Sequence, residues 1–534
     1  MFAIPSKPGL FRSKMMLVPA AVAAAVFILA AYAAVKPDEP AGPAAPEPKS
    51  LPSTVVWWDE MIEKAKQTNR LDVAADYTYR RAAYAKSVGQ EAEAAALYER
   101  SSELWKQSGA AGAPPGGESS AVQGESVFEI YMEAPAAADA RPPAKFEPGR
   151  GVYLGMLGAD RRVGFDFSKI ESVYGRKHAM FLSYVGWRKY QADTDSYFPF
   201  RQAGMAKKAG GALQIGWEPR YGLDDVKDDE YVRRFAREAK SSGIPVFLRY
   251  ASEMNGAWVP WHDDPQTYIE KFRLIHDIMK EEAPNVAMVW SPNFLPADNI
   301  DAYYPGDGYV DWIGFSLYAT PYALEKLDLS TNQIDYFRPL YEKYSHKPIM
   351  ISEGAVSHYH LKSGTDFAKW GEGQLGYMYG YLPKLFPQLK AITYFNYSKS
   401  RAVQTGMEHV YDLGENPLMD NLYQRLIRQA DFLSDIGSVS PAPESAFSRI
   451  SAIPFEAGGR LKLLPYIKLP EGRQPVVVAV SQNGANIAFS YEIPWQFDID
   501  IRTLDPSHPV VFTAYNGKMQ PLAQVSVPWD FRKK

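Results

Sequence analysis

From residue 149 onward, short apolar runs alternate with stretches of helical periodicity at intervals of roughly 25–45 residues. Repeated strand–helix units of this kind build parallel β-sheets, because each helix carries the chain back to begin a neighbouring strand in the same direction. Helical stretches at 228–242 and 265–282 lie between such runs, and Gly243 follows the first of them. We expect eight strands, at residues 151–157, 178–184, 211–217, 245–250, 286–290, 310–316, 348–352 and 391–395.

Eight such units between residues 149 and 435 fit an α/β fold, the (β/α)8 TIM barrel. The alternative is a doubly wound open sheet, which commonly has a glycine-rich phosphate-binding loop after its first strand. No such loop follows residues 151–157. Because 534 residues are too many for one compact core, we predict that the barrel at 149–435 is one of several domains.

After residue 444 the helical signal stops and the pattern becomes that of an all-β domain. Alternating runs flank the dipeptides Asn483-Gly484 and Asn516-Gly517, which are typical of two-residue hairpin turns. We predict a small antiparallel, β-sandwich-like domain at 444–534. Such a domain would either brace the barrel or bind carbohydrate, and we favour the bracing role.

The N-terminus has the pattern of a membrane-targeting segment. Lys7, Arg12 and Lys14 precede residues 15–35, which carry no charge. A positive flank before an apolar run places the rest of the chain outside the cytoplasm. We predict a signal peptide or membrane anchor at 1–36 and an extracytoplasmic protein, secreted or membrane-anchored, and leave open whether the segment is cleaved.

Three further segments lie between this N-terminus and the barrel. Residues 37–53 are rich in Pro and Ala and predict an extended linker. Residues 54–108 repeat small and apolar residues at helical spacing, which predicts a helical hairpin similar to one tetratricopeptide unit. This hairpin would either bind a protein partner or pack on its neighbour. Residues 109–148 predict a second linker, interrupted at 126–132 by a run that suggests a lone strand.

The composition excludes several classes of function. Lys and Arg number 58 against 62 Asp and Glu, a net charge of −4, so no basic field indicates nucleic-acid binding. The chain has no cysteine, which excludes disulfides, thiolate metal sites and a cysteine nucleophile. His358 and His360 follow the seventh predicted strand, but without a spaced set of carboxylates they suggest loop residues. We therefore expect no metal and no cofactor.

Two of the predicted strands are each followed by a glutamate. Glu253 comes after the strand at 245–250, and Glu353 comes directly after the strand at 348–352. In a β/α barrel the C-terminal strand ends form the floor of the active site. Cleaving a glycosidic bond needs one protonated carboxyl for the leaving oxygen and one ionised carboxylate for the anomeric carbon. The pair therefore predicts glycosidase chemistry, and the alternative for each is an exposed acid at a strand end.

Four segments, in this order along the chain, resemble the motifs of glycoside hydrolase family 26, which contains β-mannanases. They are RYASEMNGAW at 249–258, WSPN at 290–293, YYPGDGYVDWIGFSLY at 303–318 and KPIMISE at 347–353. The resemblance covers residues 149–435 and implies a retaining (β/α)8 glycosidase. It implies that Glu253 is the general acid/base and Glu353 the nucleophile, with their carboxyls about 5–5.5 Å apart. The expected substrate is a β-linked polysaccharide, with β-mannan as the family default and another β-glycan or an exopolysaccharide as alternatives, cleaved in endo mode.

Several further residues are candidates for the site. Arg249 lies four positions before Glu253, so its guanidinium should point into the barrel, where it could keep Glu353 ionised. The resemblance implies that the hydroxyl of Tyr318 contacts the nucleophile. The other candidates for substrate binding are two amides and four indoles, and core packing is the alternative for the indoles: Asn255, Asn293, Trp217, Trp258, Trp261 and Trp290.

One position departs from the family pattern. Members commonly have His immediately before the acid/base, whereas this chain has Ser252. A serine reaches less far and cannot carry charge, which puts β-mannan specificity in question more than retaining chemistry. A second hypothesis, from another class, is a non-hydrolytic glycan-binding or scaffold protein of the cell envelope.

Overall fold

The computed structural model describes residues 59–109, 126–135 and 141–530, with short gaps at 60–61, 64, 68, 88–89, 191–192, 194–196, 263, 324–325, 441–444 and 455–458. The predicted membrane-targeting segment and the linker at 37–53 lie outside the described residues. Within the described ranges, no helix is long and apolar enough to cross a bilayer.

The principal elements are numbered here in chain order. The strands are β1 (Val127–Pro135), β2 (Val152–Ala159), β3 (Met180–Gly186), β4 (Ala212–Glu218), β5 (Val246–Tyr250), β6 (Val286–Trp290), β7 (Trp312–Ala319), β8 (Ile349–Val356), β9 (Leu389–Tyr397), β10 (Ser445–Ile450), β11 (Arg460–Lys468), β12 (Val477–Gln482), β13 (Ala485–Ser490), β14 (Phe497–Asp500), β15 (Val510–Tyr515) and β16 (Pro521–Val527). The helices are α1 (Leu71–Ser87), α2 (Glu91–Ser108), α3 (Ile170–Tyr174), α4 (Phe200–Lys208), α5 (Glu230–Ser242), α6 (Pro265–Glu282), α7 (Gln333–Tyr344), α8 (Ala368–Gly376), α9 (Leu382–Leu385), α10 (Lys399–Thr405) and α11 (Pro417–Leu426).

The eight strands β2 to β9 form a closed parallel barrel. Each strand pairs with the next in the chain, and β9 pairs in parallel with β2, from Ala391 beside Tyr153 to Tyr397 beside Ala159. This last pairing closes the cylinder, so the predicted (β/α)8 TIM barrel is confirmed. The eight predicted strands all coincide with barrel strands and differ from them only at their ends.

Helix α5 illustrates how the sequence places the outer helices. The side chain of Asp229 accepts a hydrogen bond from the backbone N–H of Val232 at 3.0 Å and caps the first turn. Gly243 ends the helix in the left-handed region, with φ of 66°. Between them, Phe235 and Ala236 are buried on the face turned toward the barrel.

The barrel interior has two zones. Its N-terminal half is an apolar cluster that includes Phe247, Trp312 and Met350. Above this cluster the interior becomes polar, where the side-chain amide of Gln214 donates to the backbone carbonyl of Ser352 at 2.5 Å. A buried polar group is stable only when it is hydrogen-bonded, so this layer marks where the packed core ends and a functional mouth begins.

Two four-stranded antiparallel sheets form the C-terminal part of the chain. One has the strand order β10-β1-β11-β14 and the other β13-β12-β15-β16. The rings of Phe497 in the first sheet and Phe512 in the second lie 6.1 Å apart. Strand β1, which corresponds to the run expected as a lone strand in a linker, lies inside the first sheet. The C-terminal β region therefore includes a strand from the N-terminal side of the barrel.

The β region is bonded directly to the barrel. The hydroxyls of Tyr377 and Tyr381 donate to the carbonyls of Ile467 and Pro465 in β11, at 2.8 and 2.6 Å. The β region and the barrel domain are in close contact, because a Cβ added at Gly376 of the barrel domain would lie 2.5 Å from the side chain of Ile493 in the β region. These contacts are those expected of a bracing element.

Helices α1 and α2 pack on each other as a hairpin. Ser101 in α2 donates to the carbonyl of Ala75 in α1 at 2.7 Å. The hairpin also contacts the barrel domain, because the hydroxyl of Tyr77 donates to the carbonyl of Gly364 at 2.8 Å. The hairpin is expected either to pack on its neighbour or to bind a protein partner. The structure shows a contact with the barrel domain, and a protein partner stays a prediction.

Asp412, between helices α10 and α11, makes the stability of this fold depend on pH. Its side chain is buried, and burial, followed by the charge of Asp160, raises the pKa of Asp412 to about 7. In the unfolded chain the pKa is about 3.9. As pH rises from about 4 to about 7, the Asp412 carboxyl loses its proton in the unfolded chain but keeps it in the folded protein. The free energy of unfolding of the wild-type protein therefore falls over this range.

We expect Asp412→Asn to remove this loss, because Asn cannot ionise and its Oδ1 can still accept the bond from the N–H of Gly414. The difference in free energy of unfolding, variant minus wild type, should grow between pH 4 and pH 7 by up to about 4 kcal/mol and then level off. Urea titrations across this range would measure it. Parallel stability curves for the two proteins would contradict the assignment.

Candidate active site

A β-bulge turns Glu353 into the barrel. Strand β8 gains one residue relative to β7 between Ile351 and Glu353. Ser352 already faces inward, where its hydroxyl lies 2.8 Å from that of Ser291. In a regular strand its neighbour would face outward, but the extra residue lets Glu353 face inward as well.

Three side chains donate hydrogen bonds to the Glu353 carboxylate. Arg249 Nη1 lies 2.9 Å from Oε2, and both groups are almost fully buried. The hydroxyl of Tyr184 also donates to Oε2, and the hydroxyl of Tyr318 donates to Oε1. Donors that bond the ionised form hold this carboxylate charged and fix its orientation.

Each nitrogen of the Arg249 guanidinium donates a hydrogen bond within the barrel. Its Nε donates to the hydroxyl of Ser291 at 3.1 Å, and Nη2 donates to the hydroxyl of Ser316 at 3.2 Å. Burial lowers the pKa of Arg249, but the charge and hydrogen bond of Glu353 and the charges of Tyr184 and Glu253 together outweigh it, and the net shift is upward. The group is therefore a permanent cation, which a buried ion pair requires for stability.

Glu253 is positioned by a turn rather than by the strand before it. Strand β5 ends at Tyr250, and both Ala251 and Glu253 have left-handed backbone conformations, with φ of 47° and 60°. The N–H of Glu253 donates to the carbonyl of Ser291 at 2.8 Å, which fixes the turn on β6. Such conformations cost about 1–3 kcal/mol each and concentrate at functional sites.

The Glu253 carboxyl has a different environment from that of Glu353. Its hydrogen bonds come from neutral groups, which include the indole N–H of Trp258 at 2.7 Å, the amide of Asn293 at 3.1 Å and the side chain of Ser316. Burial raises the pKa of Glu253, and the charge of Glu353 raises it further, against smaller lowering effects from hydrogen bonds and Arg249. One carboxyl of the pair is thus paired with a buried cation, and the other is biased toward the protonated form.

Two of the predicted residues brace the site from behind. The Asn255 amide donates to the carbonyl of Asn293 at 2.9 Å, which holds the loop that carries Asn293. The Trp261 indole donates to the carbonyl of Ser252 at 2.8 Å, directly before Glu253. Both side chains are buried and act on neighbouring backbone.

Two of the predicted tryptophans belong to the core. Trp217 stacks on Phe235 of α5 with ring centroids 3.9 Å apart, between barrel and helix. Trp290 is fully buried, with the ring of Tyr304 4.8 Å away. Neither ring faces the mouth of the barrel, because each lies on the outer face of its strand.

Four residues of the site were missed from the sequence: Tyr184, Glu218, Ser291 and Ser316. Each lies at or next to the C-terminal end of a predicted strand, which is the signal that could have found them. Ser and Tyr are common in loops and cores, so residue type alone does not single them out.

The two histidines after β8 lie apart from this site. His358 is buried, and its Nε2 lies 2.9 Å from the carbonyl oxygen of Asp412. Burial lowers the pKa of His358 to about 4. Among the described residues no group of three His, Asp or Glu side chains is arranged to hold a metal ion.

Two buried carboxyls of unlike environment lie at the C-terminal mouth of this (β/α)8 barrel, an arrangement that is compatible with glycosidase chemistry. Residues 227–341 match the family model of glycosyl hydrolase family 26. The match lies within the barrel, includes three of the four motifs and confirms the predicted resemblance to this family.

The sequence similarity to two curated proteins covers only part of each protein. Endoglucanase H of Acetivibrio thermocellus is 31% identical over 239 residues, which are 41% of this chain and 25% of that protein. Beta-1,3-xylanase TXYA of Vibrio sp. is 28% identical over 170 residues, 30% of this chain and 35% of that protein. A modular endo-β-1,4-mannanase from Cellulomonas fimi has a TM-score of 0.41 and 16% identity, over 72% of this chain and 98% of that structure. The chain thus spans about a quarter to a third of the length of these two curated relatives.

The hydrogen bond from Trp258 gives a test of the Glu253 environment. Trp258→Phe keeps an aromatic ring but removes the N–H that stabilises the ionised carboxylate, so the pKa of Glu253 should rise further. If Glu253 is the acid, the alkaline limb of the kcat/KM profile moves to higher pH. Trp261→Phe is the matched control, because its N–H bonds the Ser252 carbonyl, and its limb should stay in place. An unmoved limb in Trp258→Phe would contradict the assignment.

Proposed function

We propose that this protein hydrolyses a β-linked polysaccharide with retention of anomeric configuration, using Glu353 as nucleophile and Glu253 as general acid/base. The observation that carries this proposal is the contrast between the two carboxyls. Glu353 accepts hydrogen bonds from a buried cation and two hydroxyls, whereas Glu253 accepts bonds from an indole and an amide. A retaining glycosidase needs this division, one ionised carboxylate and one protonated carboxyl.

In the first step Glu253 gives its proton to the glycosidic oxygen. The bond from that oxygen to the anomeric carbon breaks, and a Glu353 oxygen bonds the same carbon to form a glycosyl-enzyme. Arg249, Tyr184 and Tyr318 hold the Glu353 carboxylate in place for this attack. Their hydrogen bonds also limit rotation of the Glu353 carboxyl after it has bonded the anomeric carbon and lost its negative charge.

In the second step the roles of Glu253 reverse. Esterification removes the negative charge of Glu353, and with it one of the effects that raise the pKa of Glu253. The Glu253 carboxylate then takes a proton from water, whose oxygen attacks the anomeric carbon and releases Glu353. Glu253 can therefore act as an acid while Glu353 is charged, and as a base once Glu353 is esterified.

The polysaccharide is proposed only as a β-glycan cleaved in endo mode. The relatives are named as an endoglucanase and a β-1,3-xylanase, and the compared structure as a β-1,4-mannanase, so no one sugar is favoured. Ser252, in place of the His common in the family, also gives no support to β-mannan. Comparing release of reducing ends from β-mannan, β-glucan and β-xylan would identify the substrate, and the full chain is required because β1 is part of the C-terminal sheet.

The two carboxyls should fail differently when each is replaced by alanine. Glu353→Ala cannot form the covalent intermediate, so activity should fall by roughly 10⁴-fold or more on every substrate. Glu253→Ala keeps the nucleophile, so an aryl glycoside with a good leaving group should still load the enzyme. Because no base then activates water, the glycosyl-enzyme should accumulate, and mass spectrometry would detect it on Glu353.

Added azide distinguishes the two roles by product stereochemistry. It needs no deprotonation, so it should restore turnover of Glu253→Ala and yield the β-glycosyl azide. In Glu353→Ala it can only replace the nucleophile directly and should yield the α-azide. NMR of the products would measure the anomers, and the opposite outcome would reverse the two assignments. A wild-type chain that binds glycan without releasing reducing ends would instead support the non-hydrolytic alternative.

A further inference from the structure

A third carboxyl, that of Glu218, lies at the mouth of the barrel beside the two just described. It is the last residue of β4, and its neighbour in β3 is Gly186. Gln214 and Gly216 share its face of the strand, and that face is interior, since Gln214 bonds Ser352 across the barrel. Trp217 occupies the opposite face. The Glu218 side chain is therefore directed into the mouth.

The Glu218 carboxyl differs from the other two in its hydrogen bonding. Glu218 is only 4% exposed, and its Oε2 has no hydrogen-bond partner within the described part of the chain. Glu253 and Glu353 each accept bonds at both carboxyl oxygens. A buried polar atom without a partner is destabilising, and it persists in native structures where a ligand or water completes the bond.

We propose that Glu218 is a substrate-binding residue that works in its neutral form and donates a hydrogen bond to a hydroxyl of the sugar ring held between Glu253 and Glu353. This inference rests on the proposed function and adds to it a determinant of which sugar is accepted. A protonated carboxyl has one O–H donor as well as an acceptor, whereas an ionised one can only accept.

Burial and the charges of the other two carboxyls favour the neutral form, against the opposing charges of Arg249 and Arg220. Burial raises the pKa of Glu218 well above its usual range, and the charge of Glu353 raises it further. The cation of this layer, Arg249, is bonded to Glu353, and Arg220 lies 3.4 Å from Asp193. Glu218 interacts electrostatically with the following titratable or charged groups: Tyr184, Arg220, Arg249, Glu253 and Glu353.

Such a group would select the substrate by its hydroxyls. A site built to hydrogen-bond one hydroxyl rejects a sugar that lacks it or presents it differently, because the buried polar group is then left unpaired. The sugars of β-mannan and β-glucan differ in the orientation of one hydroxyl, so a fixed donor can separate them.

Two variants of Glu218 test the donor. Glu218→Gln has nearly the same shape, is neutral at every pH and keeps an N–H donor, whereas Glu218→Ala removes the donor. Binding of mannohexaose, cellohexaose and xylohexaose would be measured by calorimetry in full-length protein carrying Glu253→Gln, which slows turnover but keeps the charge of Glu353. The matched control is Asp298→Asn, which alters an exposed carboxyl.

We expect Glu218→Gln to bind the preferred oligosaccharide within a few-fold of the parent, and Glu218→Ala to bind it about 10- to 100-fold more weakly. The control should bind like the parent, and unfolding temperatures would establish that each variant is folded. If Glu218→Ala binds as tightly as the parent, or if the parent binds none of the three, the proposed contact is overturned.

Infrared difference spectroscopy tests the protonation without any sugar. At pH 7 the wild-type spectrum minus that of Glu218→Gln should contain the carbonyl stretch of a protonated carboxylic acid, and this band should be absent from the Asp298→Asn difference. A carboxylate band from Glu218 would overturn the neutral form.

The two proposals fail in different ways. If only the hydrolytic function is wrong, wild-type protein binds an oligosaccharide without cleaving it, and Glu218→Ala still weakens that binding. If only the role of Glu218 is wrong, wild-type protein cleaves a polysaccharide while Glu218→Ala leaves binding unchanged.

Discussion

The buried ion pair between Arg249 and Glu353 determines how the upper half of the barrel is built. Two charges removed from water are stable only when they are close together and every remaining donor and acceptor is satisfied. Arg249 accordingly bonds Ser291 and Ser316 as well as Glu353, and Glu353 also receives the hydroxyl of Tyr318. Strands β5 to β8 therefore place polar residues at one level near their C-terminal ends, and the mouth becomes polar where the lower interior is packed with apolar side chains.

The same pair sets the electrostatics of the mouth. Arg249 forms its ion pair with one of three neighbouring carboxyls, so the charge of Glu353 is compensated and further negative charge close to it is disfavoured. The environments of Glu253 and Glu218 both raise the carboxyl pKa, and for both the leading cause is burial. Which carboxyl acts as an anion and which as an acid thus depends on the position of the buried cation, Arg249, which contacts Glu353.

Much of the fold and part of the site could be predicted from local sequence. The eight barrel strands follow from short apolar runs separated by helical periodicity, because that alternation reflects burial on both faces of a parallel sheet. The positions of Glu253 and Glu353 after two of those runs were likewise readable. Their orientation was not: Glu353 faces inward because of a bulge in β8, and Glu253 because of a turn with positive φ at two residues.

The sequence alone determined that the chain forms a (β/α)8 barrel with two glutamates at strand ends, since strand and helix periodicity and their order are local properties. Only the tertiary structure decided which neighbours those residues meet. Trp258 reaches Glu253 while Trp217 stacks on a helix, although both indoles follow or end strands. Strand β1 pairs with β10 and β11, more than 300 residues away. The physical reason is that burial, hydrogen-bond partners and pKa shifts depend on contacts between distant segments, and no local pattern encodes them.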